Sequence, residues 1–160
     1  MNEYTVSLFG PRPFLDLDLL DDKLSLTIEN LIKTKPNVHF LIGRISDFEL
    51  YSKCLIERVR KKLGKENSRI TLVLPYSLKD PENEKDYYRE YYENILILEH
   101  LERLPLKYAL QLKNRLLVDM SDLVIVYSSD DKTDLSYAAK EYAQRMNKKI
   151  IDLYEKKGGE

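Results

Sequence analysis

The stretch VHFLIGRISDFELYSKCLIERVRKKL, residues 38–63, contains the pattern that decides the fold. Its first five residues form an almost continuous apolar run, which is typical of a strand buried on both faces of a parallel sheet. Gly43 follows that run, and apolar residues then recur at steps of four, which predicts a helix from residue 47 to residue 63. The recurring residues are Tyr51, Leu55, Val59 and Leu63. A strand that leads into a helix in this way indicates a βαβ unit.

The same alternation extends over the rest of the chain. Further strands are predicted at 4–9, 69–75 and 148–154 and within 121–129, and further helices at 19–33, 106–120 and 135–146. Residues 77–100 contain a surface loop and then a run that fits either helix or strand. We therefore expect an α/β fold, a Rossmann-like three-layer domain with a mostly parallel sheet of about five strands. Residues 1–154 are assigned to this single domain and residues 155–160 to a disordered tail.

The composition narrows the function classes. The chain has 160 residues, of which 43% are hydrophobic and 33% are charged, and its net charge is −1. This balance argues against nucleic acid as a partner, because a broad nucleic-acid-binding surface needs an excess of Lys and Arg. The N-terminus shows no signal-peptide pattern, and no apolar run approaches the roughly 20 residues of a membrane span. We therefore expect a soluble cytoplasmic protein with no membrane partner.

Cysteine and histidine are scarce, since the chain contains only Cys54, His39 and His100. One cysteine and two distant histidines do not fit a zinc site, so we expect no metal and no cofactor. Cys54 itself is expected to be a small buried core residue.

The carboxyl ends of the strands are the places to search for a ligand site, because ligands bind there in sheets of this kind. After the first strand, Gly10 permits a tight turn, and Arg12 can hold a phosphate or a carboxylate. A Gly-Pro turn with a solvated arginine explains the same residues. After the third strand, Tyr76 can stack on a base or simply line the rim.

The segment after the second strand, residues 43–49, has two interpretations. Ser46 and Glu49 fit a capping box, in which each side chain bonds the backbone amide of the other, and spacing alone favours this interpretation. Alternatively, Glu49 lies in the cleft as a base or as an acceptor for a ribose hydroxyl. Gly43 and Arg44 precede it at the position of a phosphate-binding turn.

Two further segments carry polar candidates. Thr133 or Asp134 can cap the helix that follows the strand within 121–129, and the same helix N-terminus can receive an anion. Asn114 and Arg115 lie on the helix that leads into that strand. Arg115 and Asp119 are four residues apart and can form an ordinary surface ion pair.

Several stretches, in order along nearly the whole chain, resemble the SLOG superfamily. They are SLFGPRPF, FLIGRISDFE, ITLVLPY, LKNRLLVDMSDLVIVY and AAKEYAQRMNKKIIDL. The closest branch consists of small bacterial proteins that carry a Gly-His-Arg motif after the first strand. The resemblance implies a Rossmann-like fold that binds nucleotides or nucleotide-derived ligands. Relatives include the Lonely Guy phosphoribohydrolases, the single-stranded-DNA-binding DNA-processing protein A, and sensor domains of anti-phage systems, so a bacterial or phage source is expected.

The resemblance carries over residue by residue. Gly10 and Arg12 match the first motif, in which Pro11 replaces the histidine. Gly43 matches the first glycine of the second motif, and Glu49 replaces its aspartate. In the same motif, Arg44 and Ser46 stand where further glycines are usual, while Phe48 is kept. Asn114, Arg115, Asp119, Asp122 and Tyr127 match the Arg-Asn-Arg region and the strand after it, and Asp134 and Leu135 stand where a Gly-Gly pair is usual.

Three functions follow. The first is binding of a nucleotide or nucleotide-derived small molecule at the carboxyl edge of the sheet, as a sensor or regulatory protein. The second is an N-glycosidic or phosphoribosyl hydrolase or transferase, with Glu49 or Glu141 as its carboxylate. The third is an interaction protein with a closed pocket, and a homodimer through the helices is compatible with all three. The predicted ligand-binding residues are Gly10, Arg12, Gly43, Arg44, Glu49, Tyr76, Asn114, Arg115, Thr133 and Asp134.

Overall fold

The structure is a computed structural model, and it describes residues 2–11, 17–43, 47–75, 92, 94–128 and 132–154, with only the backbone described at 17–19. The tail that the sequence predicts at residues 155–160 lies outside these ranges. So do most of the residues between 77 and 100, whose structure the sequence leaves undecided.

The described residues form a parallel sheet of six strands with helices on both faces. The strands are β1 (Tyr4–Phe9), β2 (Val38–Ile42), β3 (Ser68–Leu74), β4 (Asn94–Ile97), β5 (Leu123–Val126) and β6 (Lys149–Asp152). The helices are α1 (Leu17–Thr34), α2 (Asp47–Leu63), α3 (Leu106–Met120) and α4 (Leu135–Arg145), with a 3-10 helix at Glu99–Leu101. The strand order is β4-β3-β2-β1-β5-β6, and every pair is parallel. The α/β, Rossmann-like prediction is confirmed, with one strand more than expected.

The strand order reverses between β1 and β5. The chain builds the sheet outward from β1 to β4 and then returns to place β5 on the free side of β1. In open parallel sheets this reversal leaves a crevice at the carboxyl ends of the two central strands. The turns after β1, β2 and β5 therefore surround the expected ligand-binding position.

Each face of the sheet has its own core, because successive strand residues point to opposite faces. Leu8 and Phe40 pack with α1 and α2 on one face. Phe9 and Leu41 pack with α3 and α4 on the other. Helices α1 and α2 contact each other, as do α3 and α4, so the domain has three layers.

Helix α2 shows one confirmed boundary and one wrong prediction. It ends at Leu63, where Gly64 takes a left-handed φ of 62° and donates a backbone hydrogen bond to Arg60, as the glycine at this position predicts. Cys54, expected in the core, is exposed. The inward face of this helix carries residues such as Ser52, Leu55 and Ile56, and position 54 lies away from it. None of the described helices has the length and apolar character that crossing a membrane requires.

Candidate functional site

The predicted site residues fall at three places in the fold, and three of them lie outside the described residues. Those three are Arg12, Arg44 and Tyr76. Gly10, Gly43 and Glu49 lie at the carboxyl edge of the sheet. Thr133 and Asp134 lie at the start of α4, while Asn114 and Arg115 lie on α3.

Gly10 and Gly43 follow adjacent strand ends. Leu8 of β1 is aligned with Ile42 of β2, so the two glycines emerge side by side at the carboxyl edge. Phe9 is aligned with Val126 of β5, which brings Tyr127 to the same edge. The turns after β1, β2 and β5, which the sequence marks as candidate ligand-binding turns, therefore lie next to one another.

Gly10 is a glycine for a packing reason. A Cβ at this position would lie 2.5 Å from the Cβ of Phe48 and closer still to its ring. Phe48 is completely buried in the first turn of α2, and its ring centroid lies 6.3 Å from that of Tyr127. The aromatic side chain occupies the space beside Gly10, so this glycine is required whether or not a ligand binds nearby.

Gly43 borders a niche that holds one acidic and one basic side chain. A Cβ at this position would lie 2.8 Å from Oε2 of Glu49 and closer still to Nζ of Lys113. Glu49 comes from α2 and Lys113 from α3, which pack on opposite faces of the sheet. The two side chains therefore meet at the sheet edge beside the backbone of Gly43, and we call this arrangement the Gly43 niche.

The ammonium of Lys113 is the most unusual group of the niche. Lys113 is completely buried, and its Nζ has no hydrogen-bond partner among the described residues. Burial lowers the pKa of Lys113 from its ordinary value, and the nearby negative charge of Glu49 acts in the opposite direction. Glu49 is itself only 4% exposed. Such a site can accept an anion, because an oxyanion would give the ammonium the acceptor that it lacks.

Lys113 is absent from the site that the sequence predicts, although a signal for it is present. Ala109, Lys113 and Leu117 are spaced by four on α3, and all three are buried. A lysine on the buried stripe of an amphipathic helix is rare unless it is paired or functional. The position of Lys113 on the buried side of α3 could be predicted from the apolar periodicity of this helix. Its proximity to Gly43 could not be predicted from the sequence.

Asp134 is the N-cap of α4, as one of the two sequence interpretations predicts. Its Oδ1 accepts hydrogen bonds from the backbone N–H of Ser136 at 2.8 Å and from its hydroxyl at 2.6 Å. The neighbouring Thr133 is exposed. The cap is a sufficient structural reason for Asp134, and ligand binding by either residue stays a prediction.

The Asp134 cap can be tested by substitution. We expect Asp134→Ala to lower the free energy of unfolding by about 1 kcal/mol, because the first turn of α4 loses an acceptor for its backbone amide. Asp134→Ser should retain most of that stability, because a hydroxyl can cap the same amide. Urea unfolding followed by circular dichroism measures both. Equal losses in the two variants would contradict the capping role.

Asn114, Arg115 and Glu141 line one groove between α3 and α4, and we call it the α3–α4 groove. Its volume is about 220 Å³. The complete lining is Gln111, Asn114, Arg115, Leu135, Ala138, Ala139, Glu141 and Arg145. The two candidate catalytic carboxylates are therefore separated, since Glu49 belongs to the Gly43 niche and Glu141 to this groove.

The surface ion pair that spacing allows between Arg115 and Asp119 is not formed. The Arg115 guanidinium lies 5.4 Å from the centroid of the Tyr142 ring, and Asp119 accepts a 2.7 Å hydrogen bond from the Tyr142 hydroxyl. Because α3 packs against α4, Tyr142 contacts both side chains, the Arg115 guanidinium through its ring and the Asp119 carboxylate through its hydroxyl. Among the described residues, no cluster of three or more His, Cys, Asp or Glu side chains forms a metal site.

The fold is similar to that of a solved structure. That structure is DNA processing protein A from Helicobacter pylori, described for its single-stranded DNA binding mode. The two chains superpose with a TM-score of 0.67 at 18% sequence identity, over 97% of this chain and 67% of that one. The chain has the Rossmann-like fold of DNA processing protein A. No protein-family model and no curated protein matches the sequence.

At 18% identity, the likeness to DNA processing protein A describes the architecture. The single-stranded DNA binding belongs to that protein, whereas this chain carries a net charge of −1. One fold supports many unrelated activities, so the Gly43 niche and its neighbours are the features of this chain that bear on its function.

Proposed function

We propose that the protein belongs to the SLOG superfamily and binds a nucleotide or nucleotide-derived small molecule at the carboxyl edge of the sheet, as a sensor or regulatory protein. The observation that carries this proposal is the buried side chain of Lys113, whose Nζ lies beside Gly43 without a hydrogen-bond partner among the described residues. The niche adjoins the central strands, near the reversal of strand order where ligands of this fold bind.

Charge explains why the ligand should be anionic. A buried ammonium without a hydrogen-bonded partner is costly, and an oxyanion that contacts it would offset that cost. Nζ ends a flexible four-carbon chain, so it can turn from its position beside Gly43 toward a phosphate.

Glu49 explains why the ligand should carry hydroxyl groups as well. Its carboxylate lies beside the same glycine as the Lys113 ammonium, so one molecule can contact both. A carboxylate accepts hydrogen bonds, and a ribose presents hydroxyl donors close to its phosphate. A phosphate near Lys113 with a ribose near Glu49 places a nucleotide across the niche.

The burial of Lys113 also supports a second function, an interaction protein whose pocket is closed. The Lys113 and Glu49 side chains occupy the space beside Gly43, and both are buried. In that case the pair replaces the ligand, and a partner protein would bind elsewhere. A homodimer through the helices stays a prediction under either function.

A thermal-shift panel tests the proposal. Nucleoside mono-, di- and cyclic phosphates should raise the melting temperature, because a ligand at 100 times its Kd adds about 2.7 kcal/mol to the stability of the folded state. Lys113→Met should abolish the response, whereas the matched control Lys107→Met, at an exposed position of the same helix, should retain it.

Each outcome of the panel has a consequence. No stabilisation by any nucleotide would reject the proposal in favour of the closed pocket. An unchanged response in Lys113→Met would reject the role of Lys113. Release of a free base from a nucleoside monophosphate, lost in Glu49→Gln or in Glu141→Gln, would instead identify a hydrolase and its carboxylate. Mass spectrometry of copurifying small molecules would supply the ligand's identity.

A further inference from the structure

The α3–α4 groove collects positive charge that its own helices do not neutralise. The guanidinium groups of Arg115 and Arg145 lie 5.4 and 5.7 Å from the centroid of the same Tyr142 ring. Both arginines line the groove. Two positively charged guanidinium groups therefore lie close to one aromatic ring in the groove.

The carboxylates whose spacing would allow an ion pair with these arginines do not form one. Asp119 lies four residues after Arg115 on α3, and Glu141 lies four residues before Arg145 on α4, the spacing at which helical ion pairs form. Neither arginine makes an ion pair within 4.0 Å to any residue in the described part of the chain. Both guanidinium groups lie near the Tyr142 ring, and their N–H donors remain available to another acceptor.

Asn114 gives an independent indication of a polar ligand. The residue is only 6% exposed and lines the groove, and its Oδ1 has no hydrogen-bond partner among the described residues. Buried amide oxygens are normally satisfied, and an exception requires an explanation. A bound molecule that donates a hydrogen bond in the groove provides one.

Size and charge then restrict the ligand. The groove volume of about 220 Å³ is smaller than the usual pocket of a drug-sized molecule, which begins at about 300 Å³. Two arginines and Glu141 give the lining a charge of about +1, which favours an anion. Glu141 and the Asn114 oxygen both accept hydrogen bonds, so the anion should also carry a hydroxyl or amino group.

We propose that the α3–α4 groove is a second ligand site, which binds a small oxyanion-bearing metabolite, a phosphate ester or a carboxylic acid with a hydroxyl or amino group. Arg115 and Arg145 hold its oxyanion, and Asn114 and Glu141 accept from its donor group. The site is separate from the Gly43 niche, because Gly43, Glu49 and Lys113 do not belong to its lining.

Nuclear magnetic resonance of the arginine side chains tests the proposal at the groove itself. The full chain is titrated with inorganic phosphate and, separately, with malonate at constant ionic strength, and the Nε–H signals of Arg115 and Arg145 are followed. Saturable shifts of both signals are expected. A tighter Kd for phosphate or for malonate distinguishes a phosphate ester from a carboxylic acid as the natural ligand.

Charge-matched variants complete the test. Arg115→Gln and Arg145→Gln should each weaken the Kd of the tighter anion at least tenfold, whereas Lys61→Gln, an exposed position of α2 on the other face of the sheet, should leave it unchanged. Arg115→Lys should also weaken it, because the planar fork is lost while the charge stays. Signals that do not saturate, or equal weakening in Lys61→Gln, would overturn the site. Failure here leaves the Gly43 niche untouched, since Lys113→Met is read in a separate nucleotide assay.

Discussion

Glu49→Gln is expected to lower the free energy of unfolding by about 1–3 kcal/mol at pH 7, because it removes the negative charge that favours the protonated form of the buried Lys113 side chain. Lys113 is completely buried and Glu49 is 4% exposed, so water cannot replace what the carboxylate supplies. The substitution keeps the shape and most of the volume of the side chain. Denaturant unfolding followed by circular dichroism measures the loss.

A double-mutant cycle isolates the part of this loss that belongs to the pair. In Lys113→Met/Glu49→Gln both charges are absent, and we expect stability equal to the wild type or higher by about 1–4 kcal/mol. A double variant that loses the sum of the two single losses would show that Glu49 and Lys113 do not interact. Lys107→Met, on the exposed face of α3, serves as the control.

The pH dependence has a definite sign. The pKa of Lys113 is lower in the folded protein than its ordinary value of 10.5, so in the window between the two values the unfolded chain binds more protons. The free energy of unfolding contributed by Lys113 therefore rises as the pH rises through that window toward 10.5. Lys113→Met should remove this rise, and unfolding curves collected from pH 7 upward would reveal it. The same slope in both proteins would contradict the lowered pKa.

Gly10→Ala is expected to cost about 3 kcal/mol, the upper part of the range for overpacked cores. The added methyl would overlap the side chain of Phe48, which is completely buried. That ring cannot retreat easily, because it packs into the core below α2 and lies near the Tyr127 ring.

Gly64→Ala is the matched control for this prediction. Gly64 has a φ of 62° but no atom within 4 Å of the position of a Cβ, so its substitution should cost only the backbone strain of about 1 kcal/mol. Phe48→Leu should make the Gly10 substitution less costly, because the smaller side chain leaves room for the methyl. Equal losses at Gly10 and Gly64 would show that Phe48 does not enforce the glycine.

Much of the architecture could be predicted, because the signals that set it are local. The bounds of α2 and α3 agree with the predicted 47–63 and 106–120, since apolar residues recur at helical spacing between clear breakers such as Gly64 and Pro105. Strand β4 could not be predicted, because YYENILIL combines aromatic and branched residues that suit either helix or strand.

In the candidate site too, features set by neighbouring residues could be predicted, whereas features set by distant residues could not. The Asp134 cap follows from residues close in the sequence. The proximity of Lys113 and Glu49 to Gly43 depends on two helices that reach one sheet edge from opposite faces, and no local pattern encodes it. Likewise, the exposure of Cys54 follows from which face of α2 is turned inward, not from the residue type.

The central position of β1 has a consequence for how the chain folds during synthesis. One edge of this strand pairs with residues 38–42, but the other pairs with residues 123–126, which follow β1 by more than 100 residues. The ribosome must therefore add those residues before the second edge of β1 is covered. Pairings so distant in sequence close slowly and leave an open strand edge in the meantime. The growing chain consequently carries an open strand edge, and with it a risk of aggregation, until β5 emerges.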